Sequence, residues 1–253
     1  MTCPDFEITD CSFSIALPKR AEILVREENH IASGELLAIK EEERFQEFDL
    51  GTIGRFLTVS PGAKIEKDQI IACKKGLFGK EAIFKSPVSG TLVEVSKQGI
   101  LKIKTKSEKK EIHSPIKGRV KEIGELFLVL EFKGLKLVGN WGKGPKVLGI
   151  LKICGEKEKE VKLSELGVEQ AGKILVFGGK ISHGAIHKAE ALGIAGLVGG
   201  SISQEAESND LAIVILGDKD GLIPKETWQE FEKKEGDQAL ISGEEKSLYF
   251  PLK

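Results

Sequence analysis

Apolar and polar positions alternate in short runs through the first 150 or so residues. Leu101-Lys102-Ile103-Lys104 is the plainest case, and a period of two predicts a strand with one wet face. Two internal repeats organise these runs. Ile31-Ala32-Ser33-Gly34-Glu35-Leu36-Leu37-Ala38-Ile39-Lys40, preceded by Val25, returns 34 positions on as Ile65-Glu66-Lys67-Asp68-Gln69-Ile70-Ile71-Ala72-Cys73-Lys74, preceded by Val59. Each copy reads as a short strand, a polar turn and a second apolar strand. Phe84-Lys85-Ser86-Pro87-Val88-Ser89-Gly90-Thr91-Leu92-Val93-Glu94-Val95 returns 28 positions later as Ile112-His113-Ser114-Pro115-Ile116-Lys117-Gly118-Arg119-Val120-Lys121-Glu122-Ile123. In both, the proline ends a strand and the glycine permits the reversal before the next one. A further strand follows each copy, over 99–104 and 126–132.

After residue 154 the pattern changes. Residues 156–162 alternate acid and base, which marks a solvated connector. A buried-type strand is predicted over 173–177 and a turn over 178–181. Ser182 is the N-cap of a helix over 183–192 that Gly193 stops. A strand over 194–198 completes a βαβ unit. A second unit has a strand at 211–216, a loop at 217–221, a helix opening near Pro224 and a strand at 238–241. Trp228 and Phe231 give that helix its core face. Residues 247–250 are expected to add an edge strand. The fold class expected is thus two-part: an all-β module of hairpins over 1–154, able to fold alone, a charged connector over 155–170, and a small α/β domain of βαβ units over 171–253.

Composition narrows the function classes. The chain has 253 residues, 40% hydrophobic and 30% charged, with 29 glycines, and so is globular rather than disordered. No stretch has the apolar length that crosses a bilayer, so membrane insertion is not expected. The opening Met1-Thr2-Cys3-Pro4-Asp5-Phe6-Glu7 lacks a secretory leader's basic and apolar regions, which places the protein in the cytoplasm. Cys3, Cys11, Cys73 and Cys154 form no C-x-x-C pair and read as free thiols in a reducing compartment. The net charge of −1 conceals three blocks: −4 over residues 1–96, +9 over 97–153 and −6 over 154–253. The basic block is a candidate footprint for nucleic acid. The alternation seen at 101–104 points instead to the wet face of a sheet.

Val59-Ser60-Pro61-Gly62 through Ala72, followed by Ser86-Pro87-Val88-Ser89-Gly90-Thr91-Leu92, resembles the barrel-sandwich hybrid of biotinyl and lipoyl carrier domains and their non-carrier relatives. The run Lys75-Gly76-Leu77-Phe78-Gly79 leading into Lys85-Ser86-Pro87 also resembles a group of bacterial proteins of unassigned activity that join such hairpins to a small α/β domain. The carrier resemblance implies a swinging-arm lysine. Biotinyl domains place it between two methionines, and Met1 is the only methionine here, so biotin is excluded. Lipoyl domains present Asp-Lys, whereas Lys80 lies between Gly79 and Glu81; lipoate is not expected, and no other cofactor is. Leu77 and Phe78 stand where a carrier shows its lysine. They either form a partner-docking tip or fold back on their own hairpin.

Parallel sheets put binding loops at the carboxyl ends of their strands, which makes Gly178, Gly179, Ser182, His183, Gly217 and Gly221 ligand-binding candidates. The segment from Gly178 to Ile186, continuing to Leu192-Gly193-Ile194, resembles the phosphohistidine segment of the swivelling domain in phosphoenolpyruvate-utilising enzymes. That resemblance implies a phosphoryl acceptor at His183, with helix amides stabilising the phosphate. Ile181 departs from the family's threonine, the helix is one residue longer and the family's arginine is missing. His183, His187 and Glu190 fall within roughly 60° on the helix and could hold zinc. Ile186, Ala189 and Leu192 mark the opposite side as core, so this face reads as wet and no metal is expected. In Gly139-Asn140-Trp141-Gly142-Lys143-Gly144-Pro145-Lys146, Trp141 and Lys143 are candidates for docking a partner or stacking on nucleic acid, though the run is not a Walker loop. His30 and His113 receive no role. The function expected is non-catalytic binding or assembly. The β-module serves as scaffold for another protein, and the α/β domain holds a small anionic ligand or second partner. Phosphoryl transfer through His183 is the alternative, and nucleic-acid binding through 97–153 the third.

Overall fold

The computed structural model describes residues 6–75, 81–155, 157, 163–203 and 210–252. The chain is mostly β, with two α-helices among these residues, α1 (His183–Ala191) and α2 (Lys225–Lys234). Its contacts divide into two units. One comprises residues up to 17, 25–35 and from 113 onward; the other comprises 18–24 and 36–112.

The first unit is built on one large mixed sheet. Its strands run in the order Trp141–Lys143, Ala212–Ile215, Gly196–Gly199, Lys173–Val176, Lys146–Ile153, Gln238–Ser242, Ser247–Pro251, Phe127–Val138, Gly118–Ile123 and His30–Ile31, and Glu7–Ala16 also pairs with Phe127–Val138. Lys146–Ile153, Lys173–Val176, Gly196–Gly199 and Ala212–Ile215 are parallel to one another in that order. In the last three, near-continuous apolar sequence goes with burial on both faces. Ile174, Val176, Val198 and Val214 point into one core cluster with Trp228 and Phe231 of α2. Leu175, Phe177, Leu197, Ile213 and Ile215 point into another with Ala185, Ile186 and Ala189 of α1. The strand period of two therefore assigns each helix its own face.

Two expectations need correction here. Gln238–Ser242 does not close a parallel unit on Ala212–Ile215; it lies on the far side of Lys146–Ile153 and antiparallel to it. Ser247–Pro251 is not an edge strand but sits between Gln238–Ser242 and Phe127–Val138, with Leu248, Tyr249 and Phe250 buried. The division expected at residue 154 also falls elsewhere. Lys146–Ile153 pairs on one edge with Lys173–Val176 and on the other with Gln238–Ser242, so strands from both sides of residue 154 belong to one sheet.

In the second unit, Phe45–Asp49, Ile100–Lys104, Gly90–Val95 and Lys64–Ile65 form a four-stranded sheet, and Ile70–Lys75 pairs with Glu81–Lys85. Leu101 and Ile103 are fully buried with Ile65, Ile71, Ala72 and Leu92. Lys102 and Lys104, which alternate with them, reach out to Glu47 and Glu43.

Both repeats fold alike and are coupled by one hydrogen-bond pattern. Ser86 N–H donates to the Gln69 carbonyl (2.9 Å), and its own carbonyl accepts from Asp68 N–H (2.7 Å). In the other copy Ser114 N–H donates to Glu35 (2.8 Å), and its carbonyl accepts from Gly34 N–H (2.7 Å). Each buried serine hydroxyl then donates to the carbonyl two residues on, Val88 or Ile116, at 2.6 Å. The turns close identically: Gln69 Oε1 accepts from Glu66 N–H and Glu35 Oε2 from Ala32 N–H, both at 2.8 Å. Gly34 and Asp68 supply the left-handed residue that each turn requires, at φ 81° and 65°.

Ser86→Ala and Ser114→Ala are each expected to destabilise by about 1–3 kcal/mol, because a buried carbonyl loses its donor; urea denaturation midpoints measure this. A fragment of residues 1–154 lacks both strands flanking Lys146–Ile153 and the one beside 134–138. Hydrogen exchange is expected to show protection of 146–153 lost in that fragment, with protection of 127–133 and 36–112 retained.

Candidate functional site

A cleft in the first unit has a volume of about 760 Å³. Asp10, His30 to Ala32, Glu35, Lys117 to Arg119, Glu131 to Lys133 and Leu252 line it. The repeat geometry positions these groups. His30–Ile31 pairs with Gly118–Ile123, setting Ile31 opposite Gly118 and His30 opposite Arg119. Arg119 in turn stands opposite Glu131 across the next pair, and Asp10 opposite Lys133. Gly118 is required here, since a Cβ would lie 2.7 Å from the Glu131 carbonyl oxygen. Ile31 and Phe132 are buried and give the cleft an apolar floor.

Besides the carboxylates of Asp10 and Glu35, its charges fall into two groups. The Arg119 guanidinium donates to both Glu28 and Glu131, and Lys121 Nζ lies 3.1 Å from Glu131. The hydrogen bond from Arg119, joined by Lys121, holds the Glu131 carboxyl below its ordinary value of 4.5. Lys117 and Lys133 have no ion-pair partner among the described residues, and neither has His30. The cleft thus contains a fixed, neutralised arginine, two ammonium groups outside any ion pair, and the carboxylates of Asp10, opposite Lys133, and Glu35, which accepts from Ala32 N–H.

The carboxyl ends of the parallel strands do gather the predicted glycines, but around each other. Gly178 carbonyl accepts from Ile223 N–H (2.8 Å), Gly179 carbonyl from Gly200 N–H (2.8 Å), and Gly217 carbonyl from Asn140 Nδ2 (2.6 Å). Gly221 N–H donates to the Asp218 carbonyl. A Cβ on Gly200 would collide with Gly221 and approach Gly178, and one on Gly217 would collide with Gly200. Close backbone packing of loop on loop is what these glycines allow. At the end of Lys146–Ile153, the protein's own Glu235 carboxylate accepts from Lys152 Nζ (2.7 Å) and Ile153 N–H (3.3 Å). Lys152 holds that carboxyl below the ordinary range.

Ser182 caps α1 as expected, its hydroxyl accepting from Ala185 N–H at 3.3 Å. His183 is exposed, and its N–H donates to Ser203 Oγ (3.1 Å). Its Nε2 lies 2.8 Å from His187 Nε2, while His187 Nδ1 is 3.5 Å from Glu190 Oε2. Among the described residues no group of three or more His, Cys, Asp or Glu side chains is placed to surround a metal ion. His187 shows why: its two ring nitrogens face different neighbours, so His183 and Glu190 do not converge on one point.

Trp141 lies in the edge strand opposite Ile215 and packs, partly buried, on the α1 core cluster beside Lys143. Leu77, Phe78 and Lys80 lie outside the described residues. Cys11, Cys73 and Cys154 are unbonded, and burial pushes the Cys11 and Cys154 thiols up to about 11. No helix among the described residues is long and apolar enough to cross a membrane.

The cleft residues escaped the sequence reading, although a signal was present. Where the first Ser-Pro repeat has Ser89 and Thr91, the second has Lys117 and Arg119. A charge that one copy of a repeat carries and the other lacks is not needed for the shared fold. No family model, curated protein or solved structure matches this chain.

Because Glu131 titrates lower in the folded than in the unfolded chain, its pairing contributes stability above 4.5 and loses it as pH falls through the lowered value. Urea midpoints of wild type and Glu131→Gln are therefore expected to differ at neutral pH, wild type being the more stable, and to converge in acid.

Proposed function

We propose that this chain is a non-catalytic binding protein that holds an organic anion with an apolar body in the cleft around Lys117 and Lys133. The observation that carries this reading is the pair of unpartnered lysines beside His30, over a floor of Ile31 and Phe132. The ammonium groups suit a carboxylate or sulfonate head, and the floor suits the apolar remainder. Arg119 is already held by two carboxylates, so it shapes the wall and stays out of ligand binding. A volume of about 760 Å³ falls in the range usual for small-molecule sites.

In this reading the unit of residues 18–24 and 36–112 is a barrel-sandwich hybrid without a carrier lysine, and it docks another protein. Phe45, Phe56, Ile70, Ile83 and Val93 support this, each 42–45% exposed. The parallel strands with α1 and α2 form the α/β part. The unbonded thiols suit a reducing cytoplasm. Phosphoryl transfer through His183 is less well supported, because one of its ring nitrogens already faces His187. So is nucleic-acid binding. Lys102, Lys104, Lys109, Arg119, Lys121, Lys146 and Lys152 of the basic block each pair with a glutamate, which cancels much of the field that would attract phosphates.

Anilinonaphthalene sulfonate, an aromatic anion of suitable size, is the test probe. It is expected to bind the native chain at one site, to be displaced by aromatic carboxylates, and to weaken roughly tenfold or more, about 1.4 kcal/mol, in Lys117→Glu/Lys133→Glu. Equal binding by that variant would place the dye on other apolar surface and refute the cleft as an anion site.

A further inference from the structure

We propose that His183 and His187 form a two-imidazole chelate for a borderline divalent transition-metal ion, such as Zn²⁺, Ni²⁺ or Cu²⁺, on the first two turns of α1. The inference is independent of the anion cleft. Residues four apart on a helix lie one above the other, and the Ser182 cap fixes where α1 begins and hence which turn each ring occupies. The two Nε2 atoms converge to 2.8 Å, with the rings edge to face at 89°. Both rings are exposed, so water is available to each and neither needs the other to satisfy its nitrogens.

The surroundings select a ligating form. His187 Nδ1 faces the Glu190 carboxylate at 3.5 Å, which favours the proton on Nδ1 and leaves the Nε2 lone pair directed toward His183. A carboxylate behind the ring, with the other nitrogen facing the metal, is the arrangement that orients histidine ligands in metal sites. In the metal-free chain the 2.8 Å separation is that of a hydrogen bond, so one Nε2 carries a bridging proton, and a metal ion would take that proton's place. Metal–imidazole bonds of about 2.0–2.1 Å in tetrahedral geometry put the nitrogens roughly 3.3 Å apart, so the rings need open by only about 0.5 Å. Two protein ligands leave the remaining positions to water or to an exogenous donor, and imidazole nitrogen selects Zn²⁺, Ni²⁺ and Cu²⁺ over Mg²⁺ and Ca²⁺. The dipole of α1 weakly opposes a cation at its first turn, and Glu190 offsets it.

Untagged full chain titrated with Ni²⁺ or Zn²⁺ in a calorimeter is expected to take up one ion. His183→Ala and His187→Ala should each weaken uptake by at least about tenfold, and Glu190→Gln by about 10- to 100-fold, with melting temperatures without metal unchanged. His30→Gln should leave uptake as in wild type. With Cu²⁺, electron paramagnetic resonance should show coupling to two imidazole nitrogens, lost in the double variant. No uptake by the wild type, or wild-type affinity in His183→Ala/His187→Ala, would overturn the proposal.

Discussion

The pairing of strand Phe127–Val138 is the constraint on which the larger unit depends. Along one edge it takes Glu7–Ala16 over ten consecutive partners. Along the other it takes Gly118–Ile123 beside residues 128–131, and then Ser247–Pro251 beside 134–138. One strand thus joins the start, middle and end of the chain. Gly134 marks the handover, since a Cβ there would lie 3.0 Å from the Phe250 carbonyl oxygen and 3.2 Å from the Phe132 ring. These contacts are distant in sequence and must repay large loop-closure entropies. The repayment comes from Leu128, Leu130 and Phe132, buried in alternation, and from Leu137, buried after the alternation changes phase.

The serine clasp shows how a fold and a site can share one scaffold. Both copies make the same backbone bonds around Ser86 and Ser114, so the clasp itself specifies no chemistry. Difference arises at the solvent-facing positions of the strand that follows. Thr91 stands opposite Lys104, whereas Arg119 stands opposite Glu131 and is locked by it and by Glu28. With Arg119 neutralised, Lys117 and Lys133 are the lining cations outside an ion pair, beside the carboxylates of Asp10 and Glu35.

Electrostatics bears on both ends of the functional question. The uneven charge blocks of the sequence are brought together by folding: Glu41, Glu43 and Glu47 meet lysines of the basic block in one unit, and Glu235 and Glu245 meet Lys152 and Lys146 in the other. At the carboxyl ends of the parallel strands, where a ligand would ordinarily sit, backbone carbonyls and the Glu235 carboxylate already satisfy the nearby donors.

The sequence by itself determined what is local. Alternation at 101–104, the Ser182 cap, the Trp228–Phe231 core face and the two repeats were all legible, because each is set by side-chain period or by turn residues a few positions apart. Neighbouring imidazoles at His183 and His187 were legible for the same reason. Tertiary structure alone decided that Gln238–Ser242 runs antiparallel beside Lys146–Ile153, that Ser247–Pro251 is interior, and that Asp10, His30, Lys117, Arg119, Glu131 and Lys133 line one cleft. Strand order is chosen by which apolar faces bury each other across long loops, and the local pattern is the same for every order.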